Sequence, residues 1–257
     1  LRAAMKGWVA MQIGEAVREI VEAAKELTSE RVVLNSHRQQ VLALALSLAL
    51  RKARAIQVLV NAGLAREALP ITRSVLELGL NLMFIEHDPA GAEKLYEQFW
   101  GYLACAQEKM LEETELLESH PKRDAVRNRA QSVRDAYGWG SKTPSDWHKS
   151  NLCYRAQCAG RKGDYDRAYR YTSQFVHSSA LSMVMSVEWT DSDRLIFCDA
   201  DEKDDARHAL APVGQYLANI AQLYARALLP DKLDALVARL QDIRDRYDMT
   251  NGCEEPM

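Results

Sequence analysis

The 257-residue sequence is poor in residues that break or cross-link a chain. It contains 7 prolines, 12 glycines and 5 cysteines. The cysteines are odd in number and lack C-x-x-C spacing, so they predict neither a disulfide framework nor a zinc site. No secretory segment opens the sequence, which points to a reducing cytoplasm. We therefore expect a cytoplasmic protein without a bound metal.

Long apolar runs, one-sided charge and several common motifs are also missing. The most apolar run, Val41 to Leu50, is half the ~20 residues that cross a bilayer, so we expect no membrane segment. A net charge of -3 and a pI near 6.1 argue against a nonspecific nucleic-acid coat. No G-x-G-x-x-G, P-loop, H-E-x-x-H or G-x-S-x-G motif occurs, so no cofactor is predicted.

Apolar residues recur every three to four positions through most of the chain, the pattern of amphipathic helices. The sequence therefore predicts an all-α bundle of about eight to nine helices in a single domain, 1–250. We place the core at 30–230, an irregular loop near 137–150 and a frayed tail at 251–257. Helices are expected over residues 3–27, 36–61, 64–86, 89–119, 151–160, 164–187, 203–228 and 230–247, with a strand-like run at 195–198.

Two neighbouring segments carry opposite charge. From Glu86 to Glu118 there are nine acidic residues against two lysines, a balance of -7, whereas Lys122 to Arg170 has a balance of +7. Such runs are usually solvated faces. The positive segment leads directly into the stretch considered next, where it could attract a phosphate-bearing ligand.

The stretch Gly163 to Ser179 gathers several chemically able side chains at helical spacing. Arg170 and His177 are seven positions apart and lie within roughly 20° of each other around a helix. Histidine transfers protons near neutral pH and arginine stabilises charge on phosphorus, which suits metal-free cleavage of a phosphodiester by a neighbouring 2′-hydroxyl. The alternative is a structural histidine with Arg170 in solvent. The flanks of this face carry Tyr169, Ser173 and Gln174.

A second polar pair, Arg73 and Glu77, lies four positions apart in an otherwise apolar helix. Buried charges persist only when they are paired, so these two residues are expected to form an ion pair or to share in a polar site.

The segment RYTSQFVH, from Arg170 to His177, resembles the R-x4-6-H signature of the HEPN superfamily. The resemblance implies a metal-independent ribonuclease that works at the interface of a homodimer. In prokaryotes such proteins often serve in toxin or phage-defence systems.

A larger part of the chain, from His37 to Ser179, resembles a mainly bacterial family of unknown function, numbered 5677. Two blocks carry the likeness, ALPITRSVLELGLNLMFIEHDP and YRYTSQFVHSS. This resemblance implies a helical fold and supplies no activity. It also implies one polar site formed by Arg73, Glu77, Tyr169, Ser173 and His177.

The leading hypothesis is an HEPN-like helical protein that cleaves RNA or another phosphodiester. His177 would act as acid and base, Arg170 or Arg73 would hold the phosphate, and Glu77 would orient an arginine. The alternative is a noncatalytic helical module that binds a nucleotide or a protein partner through the same face. A third interpretation is a purely structural polar cluster.

Overall fold

A computed structural model of the chain shows a helical protein with one short hairpin, which confirms the predicted all-α class. It describes residues 2–116, 118–140, 146–176, 187–189, 195–197 and 202–247. The helices are α1 (Arg2–Thr28), α2 (His37–Asn61), α3 (Ala65–His87), α4 (Ala92–Glu113), α5 (Arg123–Tyr137), α6 (Leu152–Cys158), α7 (Lys162–Asp164), α8 (Arg170–Ser173), α9 (Glu202–Leu228) and α10 (Pro230–Arg246). A π-helical turn, Tyr165–Tyr169, joins α7 to α8.

The helix predicted over 164–187 is wrong at both of its described ends. It opens with the π-helical turn instead of regular α-helix, and α8 ends at Ser173. Its last position, Val187, belongs to strand β1 (Val187–Trp189), which pairs antiparallel with β2 (Leu195–Phe197). The strand-like run expected at 195–198 is therefore confirmed for its first three residues.

Helix α9 lies at the centre of the protein and packs against α1, α2 and α3. Its buried side chains recur at spacings of three and four, which places them on one apolar stripe. They include Leu210, Val213, Leu217, Ile220 and Tyr224. The stripe meets the similarly buried faces of its three neighbours in one continuous core.

Helix α3 is the described helix that is long and apolar enough, by length and composition, to cross a membrane, but 56% of its apolar window is buried inside the protein. Packing against α2 and α9 therefore accounts for its composition. The chain enters α2 through Ser36, whose side chain accepts a hydrogen bond from the Gln39 backbone NH and so caps the helix.

The irregular region before α6 is anchored by a tryptophan. Trp147 is 3% exposed and packs edge-on against Phe84 and Phe99. The preceding helix, α5, is capped at its C-terminus by Gly138, whose φ of 64° is the left-handed conformation that glycine adopts readily. Residues 141–145 of the predicted loop lie outside the described part of the chain.

The two oppositely charged segments partly neutralise each other. Glu108 of α4 and Arg134 of α5 form a buried ion pair. Near the start of α5, Arg123 and Arg127 both pair with Glu118. Part of the charge asymmetry in the sequence is therefore used to join α4 to α5, and less of it remains for a ligand.

The contact between α3 and α9 requires glycine at position 79. A Cβ atom built on Gly79 would lie 2.1 Å from Cδ1 of the fully buried Tyr216 ring. We expect Gly79→Ala to lower the free energy of unfolding by about 2 kcal/mol, because a packed core cannot shift enough to admit the methyl group. Urea denaturation followed by circular dichroism measures this.

The matched control is Gly14→Ala in α1, where the nearest atom, Cδ1 of Leu210, is 3.9 Å away. It should be neutral or stabilising by up to about 1 kcal/mol through helix propensity. Equal stability of the two variants would contradict the close packing of Tyr216 on α3.

Candidate functional site

One side of α3 carries a row of polar residues, opposite the side that packs on α9. Arg73, Ser74, Glu77 and Asn81 recur at helical spacing and span an arc of about 100°. We call these four residues the polar face of α3. Neighbouring elements contribute Lys52, Asp146, Arg155 and Tyr169, so the face is built from α2, α6, the loop before α6 and the π-helical turn.

Arg73 is a half-buried cation without a carboxylate partner among the described residues. Its Nη2 donates a hydrogen bond to the hydroxyl of Tyr169 over 3.0 Å. The guanidinium carbon lies 5.1 Å from the centroid of the same ring. Its Nε is buried and has no hydrogen-bond acceptor among these residues. A partly desolvated charge left in this state favours an anion that completes its hydrogen bonding.

The π-helical turn supplies the tyrosine that holds Arg73. Tyr165 stacks on Tyr169 with ring centroids 5.1 Å apart and planes at 20°. On α7, the Nζ of Lys162 lies 5.6 Å from the centroid of the Tyr165 ring. Burial raises the pKa of Tyr165, which keeps its hydroxyl protonated at neutral pH. The two stacked rings thus lie between the cations of Lys162 and Arg73, and the stack fixes the guanidinium. Such turns are frequent at functional sites.

Of the two alternatives for Arg73 and Glu77, an ion pair or a share in a polar site, the described structure does not contain the ion pair. Arg73 turns to Tyr169 instead, and Glu77 is exposed and has no hydrogen bond or ion pair within the described chain. Its carboxylate still acts on Lys52, whose pKa is lowered by burial and partly restored by the Glu77 charge. The Nζ of Lys52 donates to Oγ of Ser74 over 2.6 Å.

Arg155 is a site residue that our sequence reasoning missed. It is 1% exposed, and its Nη1 donates to Oδ1 of Asn81 over 2.7 Å. Both terminal nitrogens also bond to the carboxylate of Asp146, and the guanidinium lies over the Trp147 ring at 5.4 Å. Its signal was an arginine next to apolar residues in the short segment LCYRAQC. This cluster fastens α6 and its preceding loop to the polar face.

The structure places the sequence-predicted residues unevenly. Arg73 and Tyr169 are in direct contact, and Oγ of Ser173 donates to the carbonyl of Tyr169 over 2.6 Å. Gln174 is half-buried in the turn after α8, and Arg170 is exposed. His177 lies outside the described residues, so the face shared by Arg170 and His177 stays a prediction. Within the described chain, no three His, Cys, Asp or Glu side chains form a cluster that could hold a metal.

Comparison with known proteins gives one match. A family model described as a family of unknown function (DUF5677) matches residues 39–195. This span contains the polar face of α3, Lys52, Arg155 and the π-helical turn. No curated protein and no solved structure matches the chain.

Arg155 should be important for stability, because its removal leaves Asn81 and Asp146 without their partner in a buried setting. We expect Arg155→Met to lower the free energy of unfolding by about 3 kcal/mol, the low end for a broken buried pair, since Asp146 is partly open to water. Urea unfolding measures the loss.

Arg170→Met is the control, because Arg170 is exposed and has no partner within the described residues. It should change stability by less than about 0.5 kcal/mol. Similar losses for the two variants would show that Arg155 does not hold the loop.

Proposed function

Because the chain belongs to the DUF5677 family of unknown function, its membership supplies no activity, and we propose one from the site. We propose that the protein binds RNA through a phosphodiester at the polar face of α3 and cleaves it without a metal ion. The observation that carries the proposal is the guanidinium of Arg73, which Tyr169 orients and which has no carboxylate partner in the described part of the chain.

Arg73 has the properties of a phosphate ligand. One of its five N–H donors bonds to Tyr169, the Nε–H is buried, and the remaining terminal N–H groups are left for an incoming anion. Arginine binds phosphate through two parallel hydrogen bonds, which fixes the orientation of the ligand as well as its charge. The tyrosine stack lowers the entropy that this side chain would lose on binding.

The surroundings of Arg73 add further positive charge. Lys52 on α2 bonds to a hydroxyl and forms no ion pair within the described chain. Arg170 directly follows Tyr169 and is exposed. Glu77 provides the opposing charge. An anion bound at Arg73 would therefore have Lys52, which bonds to the adjacent Ser74, as a further cation nearby.

Cleavage is assigned to Arg170 and His177 from their chemistry and from the R-x4-6-H resemblance, because α8 ends at Ser173 and their shared helical face is not part of the described structure. The 2′-oxygen of a nucleotide attacks its own phosphorus, and the bond to the 5′-oxygen of the next nucleotide breaks. His177 transfers the protons, and arginine stabilises the charge on phosphorus. The products are a 2′,3′-cyclic phosphate and a 5′-hydroxyl. The HEPN resemblance supports this assignment, together with a homodimer and a role in prokaryotic defence or toxin systems.

Removing Arg73 should weaken RNA binding. We expect Arg73→Ala to raise the Kd for a fluorescein-labelled single-stranded RNA about ten- to a hundredfold, the loss of a charge-assisted contact. The Kd of Arg73→Lys should fall between those of the unaltered protein and Arg73→Ala, because an ammonium keeps the charge and loses the fork geometry. Fluorescence anisotropy at fixed salt measures the Kd.

The charge-matched control is Arg244→Ala, at an exposed position of α10 without partners among the described residues. It should bind RNA as the unaltered protein does. If both variants lost the same affinity for RNA, the effect would come from net charge, and Arg73 would not be the phosphate contact.

Replacing His177 should abolish cleavage and preserve binding. In excess EDTA, the unaltered protein should convert RNA to fragments with 2′,3′-cyclic phosphate ends. His177→Ala should do so at least about a hundredfold more slowly, the usual contribution of a positioned acid or base. Equal melting temperatures of the two proteins would exclude a folding defect.

If the unaltered protein binds RNA and leaves it intact, the noncatalytic module is the correct function. If the variant cleaves as fast as the unaltered protein, His177 has no part in the reaction.

A further inference from the structure

A cleft lies at the C-terminal end of α3, away from Arg73. It has a volume of about 630 Å³ and is lined by residues of α3, α4, α6 and the loop before α6. Phe84, which lines it, follows Arg73 by eleven residues, a separation of about 16 Å along the helix axis. The cleft is therefore a separate site, within the size range of small-molecule pockets.

Two aromatic rings form a fixed wall of this cleft. The rings of Phe84 and His148 are 5.1 Å apart, and both pack against the buried Trp147. Nδ1 of His148 accepts a hydrogen bond from the backbone NH of Ser150 and also bonds to its hydroxyl. These contacts hold the imidazole in one orientation. The wall is consequently preformed, with the two ring planes at 64° to each other. A planar ligand could stack on one ring and meet the other with its edge, at little cost in side-chain entropy.

The rim of the cleft favours an anion. Lys149 and His87 both line it, and neither has an ion-pair partner within the described chain. The acidic residue of the lining, Asp88, uses Oδ1 to accept a hydrogen bond from the Ala90 backbone. The amide of Asn151 uses its oxygen to cap α6 by accepting from the Tyr154 NH, which leaves its NH₂ group to donate to a ligand.

We propose that this cleft binds a 5′-mononucleotide, with the base against the wall of Phe84 and His148 and the phosphate at Lys149. Stacking on an aromatic wall accepts any base, because every base has a π-face. Lysine binds phosphate as a point charge, and the Asn151 amide can donate to the edge of the base. A ligand with both a planar ring and an anionic group matches the two halves of the cleft. The site does not depend on RNA cleavage.

The test is isothermal titration calorimetry of the full chain with AMP, adenosine and ribose 5-phosphate. AMP should bind at least about tenfold more tightly than either fragment, since each fragment fills half of the site. Lys149→Ala should weaken AMP binding about tenfold and leave adenosine binding unchanged. His148→Ala should weaken both AMP and adenosine.

Two controls separate this site from general charge and from the polar face of α3. Lys122→Ala removes an exposed lysine at the start of α5, and Arg73→Ala removes the proposed RNA contact; both should bind AMP normally. The proposal fails if AMP gives no heat, if ribose 5-phosphate binds as tightly as AMP, or if Lys149→Ala has no effect. Loss of AMP binding in Arg73→Ala would also overturn it, because the nucleotide would then occupy the other site.

Discussion

The packing of Tyr216 against Gly79 determines how the polar face of α3 is built. The ring fills the space that a side chain at position 79 would occupy, and its hydroxyl donates to Oδ2 of Asp164 over 2.9 Å. Burial and the Asp164 charge raise the pKa of Tyr216 far above its ordinary value, so the hydroxyl stays a donor. Asp164 ends α7, and the π-helical turn begins at the next residue. The position of Tyr169 against Arg73 therefore follows from a contact in the core.

The arginines of this protein differ in how their charge is compensated. Arg38 makes two hydrogen bonds to the Glu86 carboxylate, and Arg155 bonds to Asp146. Among the described residues, Arg73 contacts the hydroxyl and the aromatic face of Tyr169 and no carboxylate. A partly buried cation without a counterion is costly for a purely structural role, for which a carboxylate or an apolar residue would serve better. The lack of a carboxylate partner for Arg73 among the described residues therefore favours the binding of an external anion over a purely structural role.

The sequence predicted the fold class and much of its organisation, because helix periodicity and chain breakers are local properties. The contact between Arg73 and Tyr169 was anticipated only through the two-block family resemblance, since nothing local links positions 96 residues apart. An ion pair between Glu77 and Arg73 was considered because the two residues are four positions apart. In the structure Arg73 donates instead to Tyr169, which belongs to the π-helical turn. The π-helical turn and the partners of Arg155 depend on tertiary contacts, which periodicity does not report.

Arg155 connects the two sites through one rigid assembly. It bonds to Asn81 on the polar face of α3 and to Asp146 in the loop that carries His148 to the cleft. Moving this loop to admit a ligand would separate a buried guanidinium from its carboxylate, a change that costs about 3 kcal/mol or more. A ligand of moderate affinity would lose much of its binding energy to such a movement. The cleft is therefore expected to bind its ligand in the shape it already has, which favours a flat ring that stacks on one of the two inclined aromatic side chains.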